Sequence, residues 1–179
     1  ATGTGVFTLE SPATNTNRTL TLPDEAGTVL TTAGVPSSAM PAGSVLQVVQ
    51  GTTATQTTTT SNSFQSTGLT ASITPSSASN KVLVIATSTF VGTTLTDVIT
   101  AIFRGDTSTG TNVSGSNLST KYNSQASENA SVTNQYLDSP STTSSQTYTF
   151  AFKSSASGQA AVAQSASITA VMILMEIAA

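Results

Sequence analysis

The chain is 179 residues long, with a formal charge of −3 at pH 7, 7% charged residues, and neither His nor Cys. That excludes a Cys/His zinc site, a thiol nucleophile and a Ser-His-Asp triad, while five scattered Lys and Arg exclude the cationic stripe that nucleic-acid binding needs. More than a third of the residues are Ser or Thr, but Thr, Val and Ile are too plentiful and the net charge too low for a disordered chain, which leaves an ordered all-β protein with a hydroxyl-coated exterior.

Residues 1–34 read as a first unit, with strands predicted at Val6–Leu9, Thr19–Leu22 and Thr28–Thr31. In NRTLTLPDEAGTVLTTAG, residues 17–34, Leu20 and Leu22 alternate with Thr19 and Thr21. Pro23 presets a turn, Asp24 accepts a local hydrogen bond, and Gly27 can take a positive φ. Val29 and Leu30 resume the apolar pattern. A single hairpin buries too little to stand alone, so this one is expected to pair between chains. Residues 35–42, VPSSAMPA, read as an extended linker.

Residues 43–179 read as a head domain. Strands are predicted at Ser44–Gln50, Gln56–Thr60, Leu69–Thr74, Lys81–Val91 and Val98–Arg104. Others follow at Ala130–Leu137, Thr147–Lys153, Ala160–Ala163 and Ser167–Ala178. Turns are marked by Pro75-Ser76-Ser77, Gly105-Asp106, Ser139-Pro140 and Ser157-Gly158. Many short strands spaced by turn signals predict an antiparallel sandwich or barrel, and no stretch carries a capped helical stripe.

The Leu-Thr-Leu-Pro strand end, acidic-Ala-Gly turn and Thr-Val-Leu-Thr-Thr return of residues 17–34 resemble the shaft element that precedes the distal head in bacteriophage tail fibres. The resemblance spans about Leu9–Gly34. Gly43–Gln50, Gly68–Thr87 and Ser167–Ala179 resemble the C-terminal domains of such fibres, whereas Thr93–Ser145 has no counterpart. The resemblance implies a structural virion protein, folded in the host cytoplasm, whose head adheres to a bacterial surface glycan or protein. It also implies a homotrimer joined to other tail proteins through a missing amino-terminal part. The chain opens mid-pattern with neither a start Met nor a signal peptide, as expected of a piece of a longer protein.

Period-2 patterning adds a physical argument. In Tyr148–Phe152 three aromatics share one face. In Val82–Ile85, Val98–Arg104 and Val171–Met175 both faces are largely apolar. A strand buried on both faces needs cover on both. In a two-layer sandwich the opposite sheet covers one face, and a second molecule is expected to cover the other. The fibre resemblance supplies the number three. The expected fold is therefore a short trimeric β-shaft followed by a β-sandwich head of the jelly-roll kind, by analogy with C1q-like and tumour-necrosis-factor-like proteins. Leu20, Leu22, Val29 and Leu30 in the shaft, and Ile99, Phe103, Val171 and Ile173 in the head, are the candidate trimer contacts.

Carboxylates are the only side chains left for acid–base catalysis. A sugar-cleaving tailspike would need two of them facing each other across a cleft; a purely structural virion component would need none. Asp97, Asp106 and Asp138 fall at strand ends and turns, where Asp is favoured for its local hydrogen bonds. No catalytic, cofactor or metal residue is expected. Receptor contacts are expected in the loop-rich middle, Gly105–Glu128, at Asp106, Asn112, Asn117, Lys121, Tyr122 and Asn123. Planar amides and a Tyr there suit sugar hydroxyls, although the segment also reads as a plain polar connection. The longest apolar run, Ala170–Ile177, is interrupted by Glu176 and falls short of the ~20 residues of a membrane span.

Overall fold

Among the described residues, alternating Thr, Val and Ile form eleven strands and no α-helix occurs. The computed structural model describes residues 39–92, 97–114, 118–120, 129–164 and 168–179, with Gly5, Thr16 and Thr19. The chain divides into two units, Ala1–Gly34 and Val35–Ala179. The three strands expected in the first unit lie outside the described residues, apart from Thr19, and so do the candidate contacts Leu20, Leu22, Val29 and Leu30.

The second unit contains β1 (Val45–Thr53), β2 (Thr57–Thr59), β3 (Gln65–Ile73), β4 (Lys81–Gly92), β5 (Val98–Arg104) and β6 (Thr111–Asn112). β7 (Leu118–Thr120), β8 (Asn129–Asp138), β9 (Gln146–Ser154), β10 (Ala161–Ala163) and β11 (Ala170–Ile177) follow. Every pairing is antiparallel. Sheet 1 runs β1–β11–β4–β8, with β2 and β10 prolonging β1 and β11. Sheet 2 runs β3–β9–β5, with β6 and β7 sharing the free side of β5. If β1/β2, β6/β7 and β10/β11 are each taken as one interrupted strand, sheet 1 follows the order first, eighth, third, sixth. Sheet 2 then follows second, seventh, fourth, fifth, and the whole is the strand order of a jelly roll. The all-β sandwich expected from patterning is therefore the fold.

Alternation decides the core. Val82, Val84, Ala86 and Phe90 of β4 and Met172 and Leu174 of β11 point inward from sheet 1, fully buried. Leu69, Ile73, Val98, Ile102, Tyr148, Phe150 and Phe152 meet them from sheet 2. The inward stripe predicted for Tyr148, Phe150 and Phe152 is present. Phe90 packs edge-on against Phe150 with ring centroids 5.6 Å apart, a favoured aromatic geometry. Gly51 of β1 is a close-approach glycine: a Cβ there would collide with the carbonyl oxygen of Thr70 on β3.

Two features depart from expectation. β3 begins at Gln65 rather than Leu69, because its register slips between Ser66 and Thr70 around Gly68, whose φ is +83°. Thr67 steadies the slip by donating to the Phe150 carbonyl at 2.8 Å while accepting from the Leu69 amide. The segment 105–128 is not one loop, since it contributes β6 and β7 to the edge of sheet 2.

Candidate functional site

The two outer faces of the sandwich differ in chemistry. On sheet 1, register aligns Val48, Met175, Leu83 and Leu137 in one row across all four strands. The next row is Gln50, Ile173, Ile85 and Gln135, followed by Thr52, Val171, Thr87 and Thr133. At the other border Val45 lies beside Ile177 and Lys81. Val48 is 58% exposed, Val45 49% and Leu137 47%. Leu83, Ile85, Val171, Ile173, Met175 and Ile177 are only half-buried. The candidate contacts Val171 and Ile173 thus sit in an apolar field whose only described charge is Lys81.

Sheet 2 has covered its own apolar stripe. Ile99, Ala101 and Phe103 of β5 face outward beside Lys153, Ala151 and Thr149 of β9. Phe64, from the β2–β3 connection, lies over Phe103, Ala101 and Ala151, with its ring edge-on to Phe103 at 5.4 Å. The Lys153 ammonium stands 4.8 Å from the Phe64 ring centre. Phe103 is left only 7% exposed, while Ile99 stays half-buried. This corrects the expectation for Val98–Arg104 at Ala101 and Phe103, which the same chain covers. It also separates the head's candidate contacts, since Ile99 and Phe103 lie on the face opposite Val171 and Ile173. A contact using both faces would stack copies in a line rather than close a ring. Phe64→Ala should cost about 1–2 kcal/mol, the burial of one half-exposed ring plus its edge contact. Thermal unfolding would register the loss, and increased binding of an apolar dye would report the uncovered Phe103.

The Asp106 turn is a self-contained structure. One carboxylate oxygen accepts from the Ser108 amide at 2.7 Å, the Ser108 hydroxyl at 2.6 Å and the Thr109 amide at 2.7 Å. The other accepts from the Thr109 hydroxyl at 2.8 Å. These bonds, led by the Ser108 hydroxyl, hold the carboxyl well below the usual carboxylate range. Gly110 closes the turn, where a Cβ would strike the Asp106 carbonyl oxygen. Beside the turn lies a shallow groove of about 340 Å³, lined by Ser66, Thr70, Gly105, Thr107, Thr147 and Thr149. Asn112 is a strand residue on β6, paired with Phe103, and accepts a 3.0 Å bond from the Ser114 hydroxyl.

Asn117, Lys121, Tyr122 and Asn123 lie outside the described residues. Register still locates their neighbour. Thr120 pairs with Val98 at the start of β5, whereas Asp106 follows Arg104 at its end. Six residue steps of extended chain put about 20 Å between those two points. Asp106 and Thr120 therefore lie at opposite ends of β5.

Two buried carboxylate centres were not anticipated by sequence reasoning. Asp138 of β8 accepts from Arg104 Nη1 at 2.8 Å and from the Tyr148 hydroxyl at 2.7 Å, tying sheet 1 to sheet 2. Burial, and then the bond to Asp138, push the Tyr148 hydroxyl far above its usual titration range. Glu176 is 1% exposed and has only neutral donors around it. Gln47 Nε2 donates to one oxygen at 2.6 Å. The other accepts from the Ser76 amide at 2.6 Å, the Ser76 hydroxyl at 2.8 Å and Asn80 Nδ2 at 2.7 Å. Alternation did carry a signal for it, because Met172, Leu174 and Glu176 share the core face of β11. Both carboxylates are buried, Asp138 at 6% and Glu176 at 1% exposure, and each ties together separate elements of the sandwich.

Among the described residues no group of three acidic side chains is placed to hold a metal ion. No described helix is long and apolar enough to cross a membrane. No protein-family model matches this chain. A search of curated proteins finds no match either.

Proposed function

We propose that this chain is the distal part of a bacteriophage tail fibre, a structural virion protein that acts as a homotrimer. Its work is non-covalent adhesion to a glycan or protein on the bacterial surface. The observation that carries the reading is the two-part build: a unit ending at Gly34 whose sequence resembles a fibre shaft, followed from Val35 by a jelly roll. Adhesion is favoured over sugar cleavage because Asp106, Asp138 and Glu176 each accept hydrogen bonds from their own separate neighbourhoods. Modest single-site affinity is enough, since linked sites can multiply binding by ~10²–10⁴.

The test is adsorption. Fluorescently labelled full-length protein should decorate at least one strain in a bacterial panel, and should block adsorption of phage carrying the same fibre. Purified surface polysaccharide from that strain should keep its chain length during incubation. Absence of cell binding across the panel would sink the adhesin reading, and shortening of the polysaccharide would replace it with the sugar-cleaving one.

A further inference from the structure

We propose that the groove between the outer side of β3 and β9 and the Asp106 turn is a receptor subsite of the head, and that it takes one neutral sugar residue of a bacterial surface glycan. The source of the glycan rests on the adhesin reading; the place and the charge of the occupant rest on the groove itself.

Backbone geometry makes the groove. On the outer side of β3, Ser66 and Thr70 flank Gly68, an outward position without a side chain, whose φ of +83° carries the strand through its slip. Thr70 pairs with Thr149 of β9, and Thr149 with Phe103 of β5. Phe64 covers the Phe103 end of that row. The groove, about 340 Å³, lies over the threonine end. That is near the lower bound of ligand sites, roughly 300–1,000 Å³, and suits a single ring better than a peptide. The turn that walls it is fixed before any ligand arrives. The Gly105 amide donates to the Thr147 carbonyl at 2.7 Å, and the Gly110 amide to the Asp106 carbonyl at 3.0 Å. The Thr149 hydroxyl donates to the Gly105 carbonyl at 2.7 Å. A wall already held in place has little freedom left to lose on binding.

The lining selects the ligand. Ser66, Thr70, Thr107 and Thr147 bring hydroxyls to the groove, and each hydroxyl both donates and accepts. Ser66 accepts from the Gly68 amide at 3.0 Å and keeps its own proton to donate. Among the described residues the Thr70 and Thr107 hydroxyls have no protein partner. Sugar hydroxyls have the same dual character, and the threonine methyls between them match ring C–H groups. Asp106 is the one charged residue among those lining the groove. The Ser108 and Thr109 bonds that it accepts keep it ionised. An acidic or phosphorylated sugar would meet a like charge there, with no cation in the lining to offset it. No large apolar residue lines the groove either, so it lacks the anchor pocket on which protein interfaces depend.

The experiment uses the full chain and saturation-transfer NMR with glucose, galactose and mannose, each beside its own uronic acid. At least one neutral sugar should receive saturation from the protein, and its uronic acid should bind about 5-fold more weakly. Thr70→Tyr, at an exposed strand position that tolerates an aromatic, fills the groove and should abolish the transfer. Thr70→Val and Thr107→Val should each weaken binding by about 5-fold through the loss of one hydroxyl. Thr133→Val, on the outer face of sheet 1, should leave it unchanged. Asp106→Asn keeps the turn, because the new amide can donate to the Thr109 hydroxyl, and should bring the uronic acid level with its neutral parent. No transfer to any neutral sugar, or undiminished binding by Thr70→Tyr, would overturn the subsite. A uronic acid that binds wild type as well as its neutral parent would overturn the assignment of a neutral ligand. Cell adsorption separates this inference from the reading beneath it. Thr70→Tyr protein that still decorates cells as wild type does rejects the groove and leaves the adhesin reading standing; wild type that binds sugar but decorates no strain does the reverse.

Discussion

Replacing Asp138 by Ala is expected to destabilise the head by about 3 kcal/mol, the largest loss for any single change considered. The carboxylate joins three strands: β8, which carries it, β5 through Arg104, and β9 through Tyr148. Truncation leaves a guanidinium at the sheet junction without its counter-ion and a fully buried phenol without an acceptor. Each unpaired group costs its own desolvation, which is why losing one partner is worse than never having built the pair. Arg104 retains 26% side-chain exposure, so water partly compensates it and the figure sits at the low end for buried pairs. Asp138→Asn keeps an acceptor for Tyr148 but not the charge facing Arg104, and should lose roughly half as much. Urea unfolding at one fixed protein concentration separates the variants. A midpoint within error of wild type for Asp138→Ala would remove this cluster from the account of how the two sheets are joined.

The parts of the fold that were legible in the sequence were those written in period 2. β5 occupies the predicted Val98–Arg104, and β4, β8, β9 and β10 lie within one residue of expectation at each end, because each shows enough alternation or apolar length to declare itself. β6 and β7 are two and three residues long, too short to display a period, and exist because β5 offers them an open edge. The start of β3 was hidden by the slip at Gly68, which breaks alternation where the strand continues. Alternation also showed that β5 and β11 are apolar on both faces, but it cannot say what covers the second. For β5 the answer is Phe64, some forty positions earlier in the chain and visible only in three dimensions. For β11 no described part of the chain does the same. Proximity in sequence likewise grouped Asp106 with the stretch after Thr120, although Asp106 follows one end of β5 and Thr120 pairs with the other.

Glu176→Gln should cost about 2–3 kcal/mol at neutral pH and flatten the acid side of the stability profile. The site is arranged for an acceptor with two open oxygens. Gln47, Ser76 and Asn80 all aim donors at it, and an amide at position 176 would turn its own NH₂ toward one of them. Rotation of the Gln47 amide could relieve that clash only by giving up its 2.7 Å bond to the Thr74 carbonyl. Burial alone would raise the carboxyl pKa, but the bonds from Asn80, Gln47 and Ser76 outweigh it, so the folded value lies below the ordinary 4.5. The ionised form is therefore favoured by folding. Its stabilisation is complete above the unfolded value and is lost as pH falls through the folded one. Wild type should thus lose stability between about pH 5 and the acid limit more steeply than Glu176→Gln, and the two profiles should converge at the low end. A mutant curve that runs parallel to wild type down to strongly acid pH would mean that Glu176 is not the group whose protonation loosens the β3–β4 turn. Asn80 extends the same contact by accepting from the Ala179 amide, so that turn and the strand end beyond β11 should loosen together, as faster amide exchange at Ser76, Asn80 and Ala179 would reveal.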